Sequence, residues 1–410
     1  MTAGRTARRA ATAEPGAAEP RAAALFTPAA VVACCVGFVL IGALQALYGP
    51  AIPALREEFG LSPSAAGLGL SAHFAGGVAG VLLFARLHGR LGSRRILGSS
   101  YLLMAVGSAG FALAPDWPFA LAAALLAGLG FGGVDHGLNL LFAVGFGHCS
   151  AAMLNILNAH FGVGAILGPV LIGVVGPEHY PAVFLGFALA NLPLLFLLRG
   201  IRRQDAPGPD DGTPQAGGPG RARDRSLLTV LTLFVVLYVL HVGIEAGVGG
   251  WEPTHLETVG YRAGVAATAT SVYWSMLTVG RFLVAPLALR FTARAVVTAS
   301  CAGMTVCLLL ASVPGLAPYA YAGVGLFIAP IFPTGLPWLN RAAPRAARAG
   351  ALVIAASMLG GVAAGPALGK AIEWSGVRAV PLLLGGLSAL CLLAALWLGR
   401  ATGSPARRGG

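Results

Sequence analysis

Long apolar runs separated by short polar stretches set the pattern of this chain. They lie near 27–50, 64–86, 95–114, 118–145, 151–175 and 181–199, and after a gap near 227–250, 264–288, 295–313, 318–339, 349–371 and 379–399. About 20 helical residues cross a bilayer, so each run predicts one transmembrane helix. The gap from Gly200 to Arg225 is rich in Pro, Gly, Asp and Arg and has no material for a core. It predicts a flexible linker between two sets of six spans. The expected organisation is a disordered cytoplasmic tail over 1–25, a six-helix bundle over 26–199, a cytoplasmic linker over 200–225, a second bundle over 226–400 and a cytoplasmic tail over 401–410. The first apolar run is too long for a signal-peptide core, so it predicts a retained first helix.

Composition agrees. Of 410 residues, 57% are hydrophobic and only 10% are charged, against about 25% charged in soluble domains. The 59 glycines fit helices that approach closely in lipid. The net charge of +12 does not mark a nucleic-acid binder, because the arginines sit in short loops. One side of the predicted bundle carries Arg90, Arg94 and Arg95, the linker arginines, Arg290, Arg294, Arg341, Arg345 and Arg348. The other side mixes Arg56, Arg262, Lys370 and Arg378 with Glu57, Glu58, Asp116, Glu178, Glu252, Glu257 and Glu373. The basic side reads as cytoplasmic, with both termini inside the plasma (inner) membrane. Trp117, Tyr180, Trp251, Tyr261, Tyr319 and Trp374 fall at the outer ends and read as an aromatic belt.

The halves repeat. Gly80, Leu83, Ala85, Leu87, Arg90 and Arg94 recur 200 residues later as Gly280, Leu283, Ala285, Leu287, Arg290 and Arg294. Gly164 and Gly168-Pro169 recur at an offset of 197 as Gly361 and Gly365-Pro366, and Gly42, Gly49 and Leu55 at 201 as Gly243, Gly250 and Leu256. The predicted fold class is an all-α membrane protein: twelve transmembrane helices in two pseudo-symmetric six-helix bundles.

These features carry a resemblance to the major facilitator superfamily. The stretch Arg86 to Arg95 resembles its loop after span two, with Gly92, Arg90 and Arg94 in place but Gly89 where an Asp is usual. The stretches 128–139, 155–169 and 238–251 are similar to the sugar-porting branch that includes fucose and glucose proton symporters. The resemblance implies a role for Asp135 as the span-four acid of binding and proton coupling. The branch's span-one acid is missing; Leu44 and Gln45 occupy that region.

The candidate site residues are Asp135, Glu245, His160, Asn139, Asn158, Gln45, His241 and Trp274. A charge at mid-membrane costs about 2.5–3.5 kcal/mol on insertion scales, so intramembrane acids usually face a cavity. Asp135 reads either as that group or as a structural acid held by Asn139 one turn away. Glu245 and His241, four residues apart, either share a proton or lock helices together. Asn158, Asn155 and His160 in span five read hydroxyls or bond across helices. Gln45, Asn139 and Trp274 are candidate cavity linings, and Trp251 reads as packing. Arg281 reads as a side chain snorkelling to the cytoplasm. Asp135 and His160 fall at similar depth, which predicts a pair in contact directly or through water.

Cys34, Cys35, Cys149, Cys301, Cys307 and Cys391 lack zinc spacing, and no phosphate-binding loop or catalytic cluster is present. The chain is therefore not expected to be an enzyme, to hold a metal or cofactor, or to use ATP by itself. The expected partners are a small solute, protons and the lipid bilayer, with no nucleic acid and a monomer as the working unit. Two functions remain open: proton-coupled symport of a sugar-like polar solute, and proton-coupled efflux by antiport of an amphipathic compound or metabolite. A membrane receptor would need a signalling domain, which the chain does not show.

Overall fold

A computed structural model describes residues 26–146, 149–201, 221–343 and 349–402. The tails and most of the expected linker lie outside the described residues. The first half comprises α1 (Pro28–Phe59), α2 (Pro63–Leu91), α3 (Ser93–Ala112), α4 (Trp117–Gly145), α5 (Ser150–Val175) and α6 (Tyr180–Leu197). The second comprises α7 (Arg221–Thr258), α8 (Ala263–Arg290), α9 (Ala293–Leu310), α10, α11 (Ala349–Ser375) and α12 (Val380–Ala401). Helix α10 is in two pieces, Ala317–Ile328 and Ile331–Ala342. The break falls before Ile331, at Pro330, where the ring removes an amide donor.

Among the described residues nine helices are long and apolar enough to cross a membrane. Helices α3, α8 and α11 are 20, 28 and 27 residues long, so they too have the length to span. Their Gly, Ala, Ser and Thr content lowers hydropathy and suits helix–helix packing.

Turn chemistry starts and stops the helices. Thr27, Ser62, Asp116 and Thr292 each accept a backbone N–H at a helix start. Gly60, with φ of 62°, ends α1 in the left-handed region. Both helical termini, Pro28 and Ala401, lie at one end of the bundle, here the terminal face. There Phe26 pairs with Ile201 as a short antiparallel bridge and stacks on Phe146, 5.1 Å between centroids. The opposite end is the far face.

Pseudo-symmetry is written into backbone contacts. Gly128 of α4 rests on the His73 carbonyl of α2, and Gly325 of α10 on the Tyr273 carbonyl of α8. Gly80 meets Leu129 as Gly280 meets Leu326, and Gly164 meets Val39 as Gly360 meets Val239. None of these glycines has room for a Cβ. The last pair corrects the repeat expected in α11: by contact, Gly360 and not Gly361 is the counterpart of Gly164. Gly361 instead packs on Phe74 of the other half.

Three other expectations change. Helix α7 begins at Arg221, inside the stretch expected as linker, and runs to Thr258, past the expected end of span seven. Glu252 is therefore a fully buried helical residue and not a group at the outer surface. Pro253 within α7 did not stop it, since neighbouring helices support a proline-interrupted membrane helix. Of the expected aromatic belt, Tyr319 and Trp374 are 78% and 82% exposed, whereas Trp117, Tyr180 and Trp251 are buried in the core. Tyr180 lies inside because its hydroxyl donates to Glu58, 2.7 Å away.

Candidate functional site

Among the described residues, the close glycine contacts between the halves lie toward the far face. Gly49 of α1 lies against Gly249 of α7, Gly67 of α2 against Gly365 of α11, and Gly173 of α5 against Thr268 of α8. At the rim, the Ser64 hydroxyl donates to Glu373, and its backbone N–H does so at 3.1 Å. Lys370 pairs with the same carboxylate at 2.8 Å. Further in, Gly162 of α5 still touches Thr278 of α8. One turn beyond, at Asn158 and Arg281, both side chains are exposed.

Helix geometry places four polar groups at this level. Asp135 is 18 residues from the far-face end of α4, Asn158 is 17 from that of α5, His241 is 17 from that of α7 and Arg281 is 18 from that of α8. At 1.5 Å per residue, each sits about 26 Å in.

In the first half this level is a hydrogen-bonded chain. Asn139 donates to the Asp135 carboxylate at 3.0 Å and to the Asp135 carbonyl at 2.9 Å. Asn158 then donates to Asn139 at 3.3 Å, tying α5 to α4. Asp135 and Asn139 are half-buried and Asn158 is exposed, so the chain edges the opening.

The expected Asp135–His160 pair is not formed. No direct ion pair joins them among the described residues; the group on α5 that reaches the Asp135 network is Asn158. Residues 158 and 160 are 200° apart on a helix of 3.6 residues per turn. His160 therefore falls on the stripe of Ile156, Val163, Leu167, Leu171 and Val174, all exposed. Its Nδ1 lies 2.7 Å from the Ile156 carbonyl of its own helix. The Asn155 side chain lies outside the described residues.

In the second half, His241 Nε2 lies 3.6 Å from Glu245 Oε2. His241 is buried and Glu245 is 15% exposed. Arg281 of α8 is exposed, three residues past Thr278. It does not point at lipid: it is opposite the exposed stripe of Val265, Val272, Val279 and Leu283 on α8. Trp274 is on the same face as Arg281, buried, with its ring 5.2 Å from Tyr273. Gln45 is half-buried midway along α1.

Sequence reasoning missed three interior groups. His73 is fully buried, with its ring 4.9 Å from Phe131 and its Nδ1 3.5 Å from the Tyr48 hydroxyl. His255 faces the Tyr321 hydroxyl at 3.2 Å. Glu252 is fully buried, and neither carboxylate oxygen has a hydrogen-bond partner among the described residues. A lone His within an apolar run was the available signal for His73. Nothing marked Glu252 once the run was ended at 250.

Comparison with known proteins follows this geometry. The model of the Major Facilitator Superfamily matches residues 34–323. The chain is 29% identical to a gentisate transporter of Corynebacterium glutamicum over 68% of this chain and 66% of the relative, just under two thirds of its length. It is 24% identical to a glucose/mannose transporter of Bacillus subtilis over 73% of this chain and 77% of the relative. Among solved structures, an inward-open xylose transporter of E. coli aligns at a TM-score of 0.73 and 15% identity, covering 92% of this chain and 97% of that one. A D-xylose-proton symporter aligns at 0.72 and 18% identity, covering 90% and 96%. The family match covers more than half of the chain and the solved structures share its architecture, so this multi-pass membrane protein belongs to the Major Facilitator Superfamily, a family of transporters and not of enzymes.

Proposed function

We propose that the chain is a secondary active transporter that moves a small, sugar-like polar solute together with protons by alternating access. The observation that carries this reading is the Asp135–Asn139–Asn158 chain at the level where the halves part. Carboxamides read hydroxyl groups, and an intramembrane carboxylate can take up or release a proton. Glu245 and His241 offer a second proton-bearing pair in the other half. The relatives named for glucose, mannose and xylose support a hydroxylated solute. Polar lining favours this over antiport of an amphipathic compound.

The basic loops support a cytoplasmic terminal face and residence in the plasma (inner) membrane. The exposed Asn158 and Arg281 on that side of the glycine contacts support an inward-open arrangement. One chain supplies both halves, which supports a monomer as the working unit.

The test is uptake into proteoliposomes, with the protein's own pH gradient dependence as the readout. Glucose, xylose, glucuronate and gentisate form the solute panel. An inward proton gradient should drive accumulation of at least one solute, and Asp135→Asn should abolish accumulation. Accumulation by the variant equal to wild type ends the role of Asp135. Accumulation driven only by the opposite gradient would favour antiport.

A further inference from the structure

Arg281 is the group that a neutral solute leaves unexplained. A guanidinium carries five donors and does not deprotonate in proteins. Here it is exposed, on the face of α8 turned away from lipid, at the depth of Asp135. It makes no hydrogen bond or ion pair within 4 Å among the described residues. Glu245 is instead 3.6 Å from His241. An arginine near the middle of a span costs about 2.5–3.5 kcal/mol on insertion scales. Such a group normally earns its place by a partner or a ligand.

Its position names the ligand's neighbours. Thr278 of α8 lies in close contact with Gly162 of α5. Arg281 is three residues past Thr278, and Asn158 is four residues before Gly162. The cation and the carboxamide therefore flank the apex of the opening from opposite halves. Asn158 continues into Asn139 and Asp135. A ligand at the apex meets a fork of donors on one side and mixed donors and acceptors on the other.

We propose that Arg281 anchors a carboxylate of the transported solute, which is thus a hydroxylated carboxylic acid and not a neutral sugar. The guanidinium fork matches two carboxylate oxygens, and Asn158 and Asn139 take the hydroxyls. This rests on the transporter reading above and sharpens its solute class. A sugar acid and a hydroxylated aromatic acid share the required chemistry.

Isothermal titration of the full chain in detergent tests it with two matched pairs. D-glucuronate against D-glucose, and gentisate against hydroquinone, each differ chiefly by the carboxylate. At least one acid should bind tenfold or more tightly than its neutral partner, and which acid does so identifies the sugar or the aromatic source. The preference should fall below threefold in Arg281→Gln. Arg281→Lys, which keeps charge but loses the fork, should retain part of it. If Arg281→Gln does not fold, the wild-type pairs and Arg281→Lys still decide. Equal or tighter binding of the neutral partners, no saturable binding of either acid, or full preference in Arg281→Gln overturns the proposal. Glucose binding and uptake without acid preference removes the carboxylate and leaves the transporter reading. Acid binding through Arg281 without vesicle uptake removes the transporter reading and leaves the anchor.

Discussion

At the far face the halves meet backbone to backbone, Gly49 on Gly249 and Gly67 on Gly365, with no space for a Cβ. One turn beyond the Gly162–Thr278 contact the level is polar: Asn158 and Asp135 in one half, Arg281 and the buried His241 in the other. The seam is built of residues that give up side chains for close approach. The level beneath it is built of residues whose side chains are costly in a membrane. A seam of glycines can separate without stripping hydrogen bonds from either half, whereas a polar level changes its chemistry when anything binds to it. The first suits a moving contact and the second a recognition site.

The largest effect should come from filling the seam. Gly49→Val pushes a branched side chain into the Gly249 carbonyl. Overpacking costs about 1–3 kcal/mol, which is a shift of about 5- to 150-fold away from the far-face-closed state. Transport should fall by tenfold or more. A Ser71→Cys reporter, set in the α2–α11 seam beside Gly365, should become reactive from the far side in a background lacking Cys149. An unreactive reporter with normal transport would show that the seam is not the moving contact.

A smaller but more selective effect is expected from Glu245→Gln. If the Glu245–His241 pair carries coupling, gradient-driven accumulation should be lost while solute exchange across the vesicle persists. Normal accumulation removes Glu245 from coupling. Loss of exchange as well would assign it to solute binding instead.

The rim latch sharpens the comparison, because it is the one place where side chains join the seam among the hydrogen bonds described between the halves at the far face. Lys370, and after it Ser64, hold the Glu373 carboxyl down at about 2. Glu373 lies beyond the apolar run that ends near 371. A lowered value means that the latch contributes fully above the ordinary carboxylate range, near pH 4.3, and is lost only as pH falls through about 2. Reactivity of the Ser71→Cys reporter should therefore be flat from pH 5 to 8 as far as Glu373 is concerned. Glu373→Ala should raise it by no more than a few-fold, since glycine contacts still close the face. A steep pH dependence abolished by that variant would make the latch, and not the glycines, the determinant of closure.

Architecture was legible because span length, loop charge and glycine repeats are each set by the bilayer or by close packing, and both act on sequence directly. The site was legible in part. Asp135, Asn139 and Asn158 were picked out and are joined, because an acid and carboxamides inside apolar runs stand out. The depth of Arg281 alone fits snorkelling; only the direction of the exposed stripe on α8 shows which face of the helix carries it. Glu252 was misread because hydropathy ends a span at charge and proline, while the helix ends where its packing ends.

His160 shows the same limit in the opposite sense and gives the smallest expected effect. Depth placed it beside Asp135, but depth is only one coordinate of a helical residue. The other is azimuth, and a separation of 200° from Asn158 turns His160 onto the stripe with Ile156, Val163 and Leu167. Its bond to the Ile156 carbonyl satisfies one ring nitrogen without any other helix. His160→Leu should therefore extend an apolar stripe and leave the pH profile of solute affinity within twofold of wild type. Asn158→Leu, two residues away, should weaken solute binding by about tenfold, because it cuts the link to Asn139 and removes a donor from the apex. The measurement is a titration of affinity from pH 5.5 to 8.5 in both variants. A shifted profile in His160→Leu with Asn158→Leu unchanged would reverse the assignment of these two faces of α5, and with it the direction in which the opening lies.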